Sequence, residues 1–194
     1  MERDAYGKLV EWKKRTDRRP LVLNGARQVG KTRLLKEFGR REYRNVAVIN
    51  FNQHPELQAI FRDTDTERLL RVSSAVTNER ILPGETLLIL DEIQEAPQVL
   101  TSLKVFCEKA GEYHVAAAGN LPGWSDHQGT GYPAGKTDEI QLYPLSFHEF
   151  LGAMGKDLLL EQLRRQRWEE MNQLLPMLME LLRQYYSKVE CRRW

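Results

Sequence analysis

The amino-acid sequence predicts an α/β domain of three layers with a mainly parallel sheet, followed by an incomplete helical lid. Three observations support this fold class. Short apolar runs alternate along the chain with amphipathic stretches, as expected for strands joined by right-handed helical crossovers. A glycine-bracketed loop, residues 25–30, stands between the first such strand and the helix that follows it. Four consecutive aliphatic residues, Leu87–Leu90, are typical of a strand that is covered on both faces.

Each element of this fold has its own signal. Apolar and β-branched runs predict the strands, and apolar residues at helical spacing predict the helices. The predicted strands are 21–23, 46–51, 87–90, 114–118 and the edge strand 140–142. The predicted helices are 4–14, 31–40, 57–61, 69–76, 99–110 and 147–154, with a further helical segment from 158 onward. Ser146 is expected to cap the helix that begins beside it.

The final segment is predicted to be an amphipathic lid. Its apolar face consists of Leu174, Leu178, Leu181, Leu182 and Tyr185. Pro176 marks a kink or a break in this segment, because proline cannot continue a helix without loss of a backbone hydrogen bond. Gly155 ends the preceding helix, so we expect a core at 1–155 and a helical lid fragment at 156–194.

Composition narrows the class of protein. The chain has 194 residues, of which 41% are apolar and 29% charged, and its formal net charge is +2. These values are typical of a globular domain in water and differ from those of disordered or membrane-spanning chains. The small net charge does not indicate a nucleic-acid partner or an anionic membrane surface. Cys107 and Cys191 have no metal-ligand or redox spacing, and the N-terminus has no apolar leader, so we expect a cytoplasmic protein.

The strongest functional signal is the segment from Gly25 to Thr32. It matches G-x-x-x-x-G-K-[ST] at every required position, and it lies between a predicted strand and a predicted helix, as a phosphate-binding loop requires. Glycines let backbone N–H groups approach phosphate oxygens, and the helix N-terminus adds partial positive charge. The predicted ATP-binding residues are Gly25, Ala26, Arg27, Gln28, Val29, Gly30, Lys31 and Thr32.

Two side chains of this segment have separate expected roles. We expect Lys31 to reach the β- and γ-phosphates, and to be accessible to solvent when no ligand is present. We expect the Thr32 hydroxyl to be a ligand of Mg²⁺. The alternative is a tight turn with a solvated lysine, which the coincidence of motif, strand and helix disfavours.

Two acidic residues, Asp91 and Glu92, follow the aliphatic strand. They are expected at the carboxyl end of a central parallel strand, where ligands of open α/β sheets bind. We expect Asp91 to hold Mg²⁺ through water, and Glu92 to orient and deprotonate an attacking water as general base. The alternative is an ordinary acidic pair in a loop, which is less frequent downstream of an intact phosphate loop.

A weaker signal is the run of small residues that ends at Asn120. An amide at this place could hydrogen-bond the γ-phosphate or the attacking water, so Asn120 is a third candidate catalytic residue beside Glu92 and Lys31. The alternative, an asparagine that caps a turn before Pro122, stays open. A long loop rich in Gly, Pro and Ser is predicted at 122–136.

Three segments together resemble one protein family. They are residues 25–32, 88–97 and 142–151, the last two being LILDEIQEAP and LYPLSFHEFL. They resemble largely uncharacterised bacterial and archaeal AAA-type ATPases in which this domain precedes a C-terminal domain of unknown function. The resemblance implies a P-loop NTPase core of AAA type that uses ATP and Mg²⁺. Residues 187–194 differ from the family pattern, so we expect a C-terminally truncated or frame-shifted member.

The resemblance also bears on assembly. AAA-type sites usually lie between subunits and take a cationic finger from the neighbour, which is compatible with a homo-oligomer. Residues 121–142 contain no arginine, and Lys136 is the single lysine there. A lysine stabilises a phosphoryl transition state less well than a bidentate guanidinium, so we expect the isolated chain to be a slow ATPase.

Two classes of function fit these features. The first is an ATPase that couples hydrolysis to a conformational change, which Glu92 favours. The second is a nucleotide-binding switch or interaction module with negligible turnover, which the missing C-terminal part favours. A small-molecule kinase is a weaker third hypothesis, because the sequence has no recognisable acceptor pocket or lid motif. The sequence does not indicate a protein client.

Overall fold

The computed structural model of the protein describes residues 3–121, 135–166 and 168–190. These residues form two compact units, one of residues 5–142 and the other of residues 1–4 together with 143–194. The first unit contains the sheet, with strands β1 Leu21–Asn24, β2 Asn45–Asn50, β3 Thr86–Asp91, β4 His114–Gly119 and β5 Asp138–Gln141. Its helices are α1 Asp4–Lys14, α2 Lys31–Glu42, α3 Thr66–Thr77 and α4 Val99–Lys109.

The strands of the described residues form one five-stranded sheet in the order β2-β3-β4-β1-β5. Every neighbouring pair is parallel. The predicted α/β class with a mainly parallel sheet is therefore confirmed. The edge strand begins two residues earlier than predicted, at Asp138, and pairs with β1. The Ile140 side chain is buried, whereas those of its two neighbours are not. Ile140 therefore lies on the face of β5 that packs against the core.

Alternation along the strands divides the core into two apolar layers. On β3, Leu88 and Leu90 pack into one layer, whereas Leu87 and Ile89 pack into the other, because successive side chains of a strand point to opposite faces. Helices α3 and α4 cover the first layer, and α1 and α2 cover the second. Both faces of β3 are thus buried, which accounts for its unbroken aliphatic sequence.

The crossover after β2 differs in detail from its prediction. Residues 57–61 were predicted to be helical, and the structure has two short 3₁₀ helices, Pro55–Gln58 and Ile60–Arg62. Helix α3 begins after Asp65, whose side chain accepts hydrogen bonds from the backbone N–H groups of Glu67 and Arg68. Residues 122–134 of the predicted long loop lie outside the described residues.

At the amino end of the sheet, aromatic side chains close the second apolar layer. Phe38 is fully buried and makes ring contacts with Tyr6, Trp12 and Tyr43. The Tyr43 hydroxyl and His114 Nδ1 form a buried hydrogen bond of 2.6 Å. Burial lowers the pKa of His114 to about 4, because a charged imidazolium is poorly solvated among these rings.

The second unit is helical, with α5 Phe147–Ala153, α6 Asp157–Arg164, α7 Trp168–Asn172 and α8 Leu175–Glu190. Ser146 caps α5 as predicted: its side chain accepts the N–H of Glu149, whose carboxylate accepts the N–H of Ser146. Helix α5 lies within this second unit, and the domain boundary at Gly155 stays a prediction.

The apolar face predicted for the lid is present in part. Leu181 is buried with Phe150, Leu151 and Leu159, and the Tyr185 hydroxyl donates to the Leu145 carbonyl at 2.7 Å. Residue Leu174 instead remains 39% exposed. It precedes α8, which has Pro176 at its second position, where the missing N–H would have no helical partner in any case.

None of the helices in the described part of the chain is long and apolar enough to cross a membrane.

Candidate functional site

The phosphate loop, residues 25–30, connects the end of β1 to the start of α2. A Cβ on Gly25 would lie 2.4 Å from the Leu142 carbonyl oxygen, so only glycine fits at this position. Gly30 has φ +95° and ψ +23°, a left-handed conformation that glycine adopts at low cost. Gln28 is also left-handed, with φ +64°. The loop is therefore a constrained turn, and its strain is typical of functional sites.

The Lys31 side chain folds back into this loop. Its Nζ donates hydrogen bonds to the carbonyl oxygens of Gly25 and Ala26, at 2.9 and 2.8 Å. Lys31 is only 8% exposed, so the expectation of an accessible lysine is wrong. The two carbonyl oxygens satisfy the ammonium group in place of solvent. Burial lowers the pKa of Lys31, and the nearby carboxylates of Glu92 and Asp91 partly oppose this shift.

The Thr32 hydroxyl lies against the carboxylate at the end of β3. Its Oγ1 is 3.0 Å from both oxygens of Asp91, to which it donates. Asp91 is 2% exposed. Burial raises the pKa of Asp91, whereas the hydrogen bond from Thr32 lowers it. The structure thus brings together the two side chains that were predicted to hold Mg²⁺.

A second partner of Asp91 was not found by the sequence analysis. Asn50, the last residue of β2, donates from Nδ2 to Asp91 Oδ2 at 3.1 Å. Its side-chain oxygen, Oδ1, accepts the backbone N–H groups of Asn52 and Gln53, which fixes the orientation of the side-chain amide. The available signal was a polar residue at the end of a predicted strand, but it becomes informative only when β2 is known to lie beside β3.

Glu92 is held by a neighbouring amide. It has φ +57° and ψ +46° and precedes the 3₁₀ helix Ile93–Glu95. Gln94 donates from Nε2 to Glu92 Oε2. Its Oε1 accepts the backbone N–H of Asn120 at 3.1 Å. Gln94 therefore links two residues that were predicted to act in catalysis, and the sequence analysis assigned it no role.

The end of β4 is shaped to receive this glutamine. A Cβ on Gly119 would lie 2.8 Å from Ile93 Cγ1 and 3.0 Å from Gln94 Oε1. Asn120 follows β4, between the ends of β3 and β1 in the strand order. The Asn24 side chain, at the end of β1, exchanges two hydrogen bonds with the backbone of Leu121. The chain after β4 is thus tied to the strands on both sides.

Lys136 lies at the other end of the sheet. It precedes β5 by two residues, and its Nζ is 3.1 Å from Glu108 near the end of α4. Because β5 and β1 are parallel, the start of β5 and the end of β1 lie at opposite ends of the strands. Within one chain, Lys136 therefore lies at the amino end of the strands, and the loop of residues 25–30 lies at the carboxyl end.

The site can hold a cation through few protein ligands. Across residues 3–121, 135–166 and 168–190, no group of three or more His, Cys, Asp or Glu side chains could enclose a metal ion. The Asp91 carboxylate, the Thr32 hydroxyl and the Lys31 ammonium group lie at the carboxyl edge of the sheet, with the Glu92 carboxylate beside them. This combination suits a ligand that brings its own negative charge and its own metal ligands.

Comparison with known proteins agrees with this arrangement. A family model described as an AAA domain matches residues 17–151. Among solved structures, Drosophila ORC bound to DNA has a TM-score of 0.53 at 16% identity, over 94% of this chain and 52% of that one. At this identity the likeness concerns the fold. No curated protein matches the chain.

Two further structures are similar over less of the chain. ORC1 of Aeropyrum pernix in complex with DNA has a TM-score of 0.49 and 14% identity, over 78% of this chain and 47% of that one. PCH-2 of C. elegans has a TM-score of 0.45 and 15% identity, over 82% and 45%. The chain spans about half the length of these proteins.

Proposed function

Because the chain belongs to the AAA domain family, we propose that it binds ATP with Mg²⁺, hydrolyses it, and couples hydrolysis to a conformational change. The observation that carries this proposal is the contact between Thr32 and Asp91. It places a hydroxyl from the start of α2 at 3.0 Å from a buried carboxylate at the end of β3. Each ligand comes from a different motif, and both motifs end at one edge of the sheet.

Phosphate binding rests on the loop and on Lys31. Helix α2 begins at Lys31 with no acidic residue in its first turn, so its N-terminal N–H groups and partial positive charge are available to an anion. Lys31 can exchange its two neutral carbonyl acceptors for charged phosphate oxygens. A hydrogen bond between the ammonium and a phosphate adds the attraction of opposite charges to the ammonium–carbonyl bond that it replaces, which favours the exchange when the nucleotide binds.

The residues present fit a magnesium ion. Mg²⁺ prefers oxygen ligands, retains several waters and is usually held by one or two carboxylates together with substrate phosphates. Thr32 and Asp91 supply a hydroxyl and a carboxylate of this kind. When bound, Mg²⁺ bridges the phosphates and neutralises the charge that develops during transfer. Asn50 and Thr32 keep the Asp91 carboxylate oriented in its buried position.

Glu92 is the proposed general base. It follows Asp91 on a left-handed turn at the same edge of the sheet, and it is close enough to Lys31 to oppose in part the lowering of that residue's pKa by burial. A carboxylate here can accept the proton of a water that attacks the γ-phosphate. The candidate sensor of that phosphate is Asn120, whose backbone is fixed through Gln94.

The second candidate function is a nucleotide-binding switch with negligible turnover. The position of Lys136 favours it, because the cation of the predicted loop faces Glu108 instead of the phosphate edge. In this case binding alone would change the conformation, and a further cation beside Lys31 would have to come from a neighbouring copy of the chain.

Substitution of the base separates these functions. Glu92→Gln should bind Mg-ATP with the affinity of the wild type but hydrolyse it at least about a hundredfold more slowly, the scale expected for removal of a positioned base. Steady-state phosphate release and isothermal titration calorimetry measure the two quantities. Glu95→Gln, a change of an exposed glutamate nearby, is the matched control and should behave as wild type.

Equal hydrolysis by wild type and Glu92→Gln would remove Glu92 from the reaction. Tight binding by all three proteins with no measurable phosphate release would favour the switch.

A further inference from the structure

The Gln94 side chain is the single direct link between the proposed base and the end of β4 in the described residues. Its amide nitrogen donates to the Glu92 carboxylate. Its amide oxygen accepts the backbone N–H of Asn120 at 3.1 Å. The nitrogen and the oxygen of one terminal amide therefore contact the residues that directly follow β3 and β4.

The chemistry of the two contacts sets the orientation of the amide. A carboxylate only accepts hydrogen bonds, and a backbone N–H only donates. If the amide were reversed, its oxygen would face the Glu92 carboxylate and its N–H groups would face the N–H of Asn120. Both contacts would then be repulsive, so the orientation with both bonds formed is strongly preferred.

The backbone around Gln94 has little freedom. Glu92 is left-handed at φ +57°, a conformation that is unfavourable for a residue with a Cβ. Gly119 leaves no room for a Cβ between itself and Gln94. The 3₁₀ helix that carries Gln94 is thus packed against the end of β4. This packing limits where the Glu92 side chain can lie relative to that strand.

We propose that Gln94 is a positioning residue that fixes the Glu92 carboxylate relative to the end of β4 at Asn120. This inference rests on the proposed ATPase function. With both hydrogen bonds formed, the Glu92 carboxylate keeps a fixed position relative to Asn120 at the end of β4. The bound water then meets a carboxylate that has a defined position, which lowers the entropic part of the barrier.

Two substitutions test this role. Gln94→Met has a similar length but removes both hydrogen bonds. Gln94→Glu keeps an acceptor for Asn120 N–H and places a second carboxylate against Glu92. The matched control is Gln98→Met, because the Gln98 amide donates to the Gln58 carbonyl at 2.8 Å and not to Glu92. Thermal melting and ATP affinity are measured for each variant together with kcat and KM.

We expect Gln94→Met to lower kcat by about tenfold or more while KM changes by less than about twofold. We expect Gln94→Glu to lower kcat in the same way, because its carboxylate keeps an acceptor for the Asn120 N–H but cannot donate to Glu92. A residue that only supports the fold would change melting and leave the kcat of the folded variant unchanged. Gln98→Met should match the wild type.

A wild-type kcat in Gln94→Met or in Gln94→Glu overturns the proposal. If Gln94→Met does not fold, the kcat of Gln94→Glu decides alone. Failure of the proposed function has a different signature. In that case wild type and Glu92→Gln would turn over ATP equally, and the positioning role would fall with it. A wild type that depends on Glu92, beside unaffected Gln94 variants, overturns the positioning role only.

Discussion

The two ends of the central sheet both bury polar side chains, but in different surroundings. At the amino end, Tyr43 and His114 pair with each other inside a group of aromatic rings. At the carboxyl end, Lys31 and Asp91 are buried beside loops, with backbone carbonyls, a hydroxyl and an amide as partners. The amino end buries neutral groups, and the carboxyl end buries charged ones.

This difference separates groups that complete the core from groups that can exchange partners. Around His114, burial favours the neutral ring, and the ring has a close partner in Tyr43. Around Lys31 and Asp91, burial acts against each charge, and each is held by partners that phosphate or magnesium could replace. We therefore expect substitutions at the amino end to change stability and those at the carboxyl end to change ligand affinity.

The largest expected effect is at the amino end. Phe38→Ala should lower the free energy of unfolding by about 3–5 kcal/mol, the cost of a cavity where a buried phenylalanine is removed. Mg-ATP affinity, measured by calorimetry at a temperature where the variant is folded, should stay within about twofold of the wild type. Phe38→Leu keeps most of the volume and should lose less stability. A large loss of affinity in a folded Phe38→Ala would show that the two ends are coupled through α2.

The next effect is at the carboxyl end. Lys31→Ala should weaken Mg-ATP binding by about 2–4 kcal/mol, since it removes a desolvated charge from a hydrogen-bonded charge pair. Its free energy of unfolding should fall by only about 1 kcal/mol, because the loss of two ammonium–carbonyl hydrogen bonds is partly offset by the removal of a buried charge. Calorimetry and urea denaturation measure the two quantities. ATP affinity equal to that of the wild type, with a native circular-dichroism spectrum, would contradict the phosphate-loop assignment.

The smallest expected effect concerns pH. The folded protein keeps His114 neutral down to about pH 4, whereas an unfolded chain binds the proton near its ordinary pKa of 6.5. The stabilisation is therefore complete above pH 6.5 and is lost as the pH falls from 6.5 to about 4. The loss is on the order of 2–3 kcal/mol, measured as the free energy of unfolding by urea at several pH values.

His114→Asn cannot titrate, so its stability should depend less on pH across this window. Asp91 acts with the opposite sign in the absence of ligand: its pKa is raised by burial, so its contribution improves as the pH falls. Asp91→Asn should therefore show a steeper loss of stability on acidification than the wild type. An identical pH dependence in wild type and His114→Asn would contradict the account of the amino end.

Much of the fold was predictable because its signals are local. Strand β3 has four aliphatic residues in a row, α2 starts directly after a glycine, and Ser146 and Glu149 form a capping pair three residues apart. The strand order could not be read from such patterns, since β1 pairs with β4 and β5, which are both distant in sequence. The helical segment at 57–61 became 3₁₀ turns because it follows Pro55 and is short.

The candidate site shows the same division. The motif residues lie at the predicted edge of the sheet, because the ends of parallel strands meet there. Asn50 and Gln94 were missed, since each acts on a residue of a neighbouring strand or turn and neither belongs to a recognised motif. The burial of Lys31 was also missed. It depends on the direction of two loop carbonyls, which no residue pattern specifies.

The strand order also has a consequence for how the protein is made. Strand β1, which leads into the phosphate loop, emerges from the ribosome early, but its two partners are residues 114–119 and 138–141. Until the second of these is synthesised, an apolar strand of Leu21, Val22 and Leu23 has no completed place in a sheet. Closing such distant pairs has a high entropic cost and is slow. The nascent chain therefore exposes this strand at least until residues 138–141 have been synthesised, which is the interval in which chaperones would bind it.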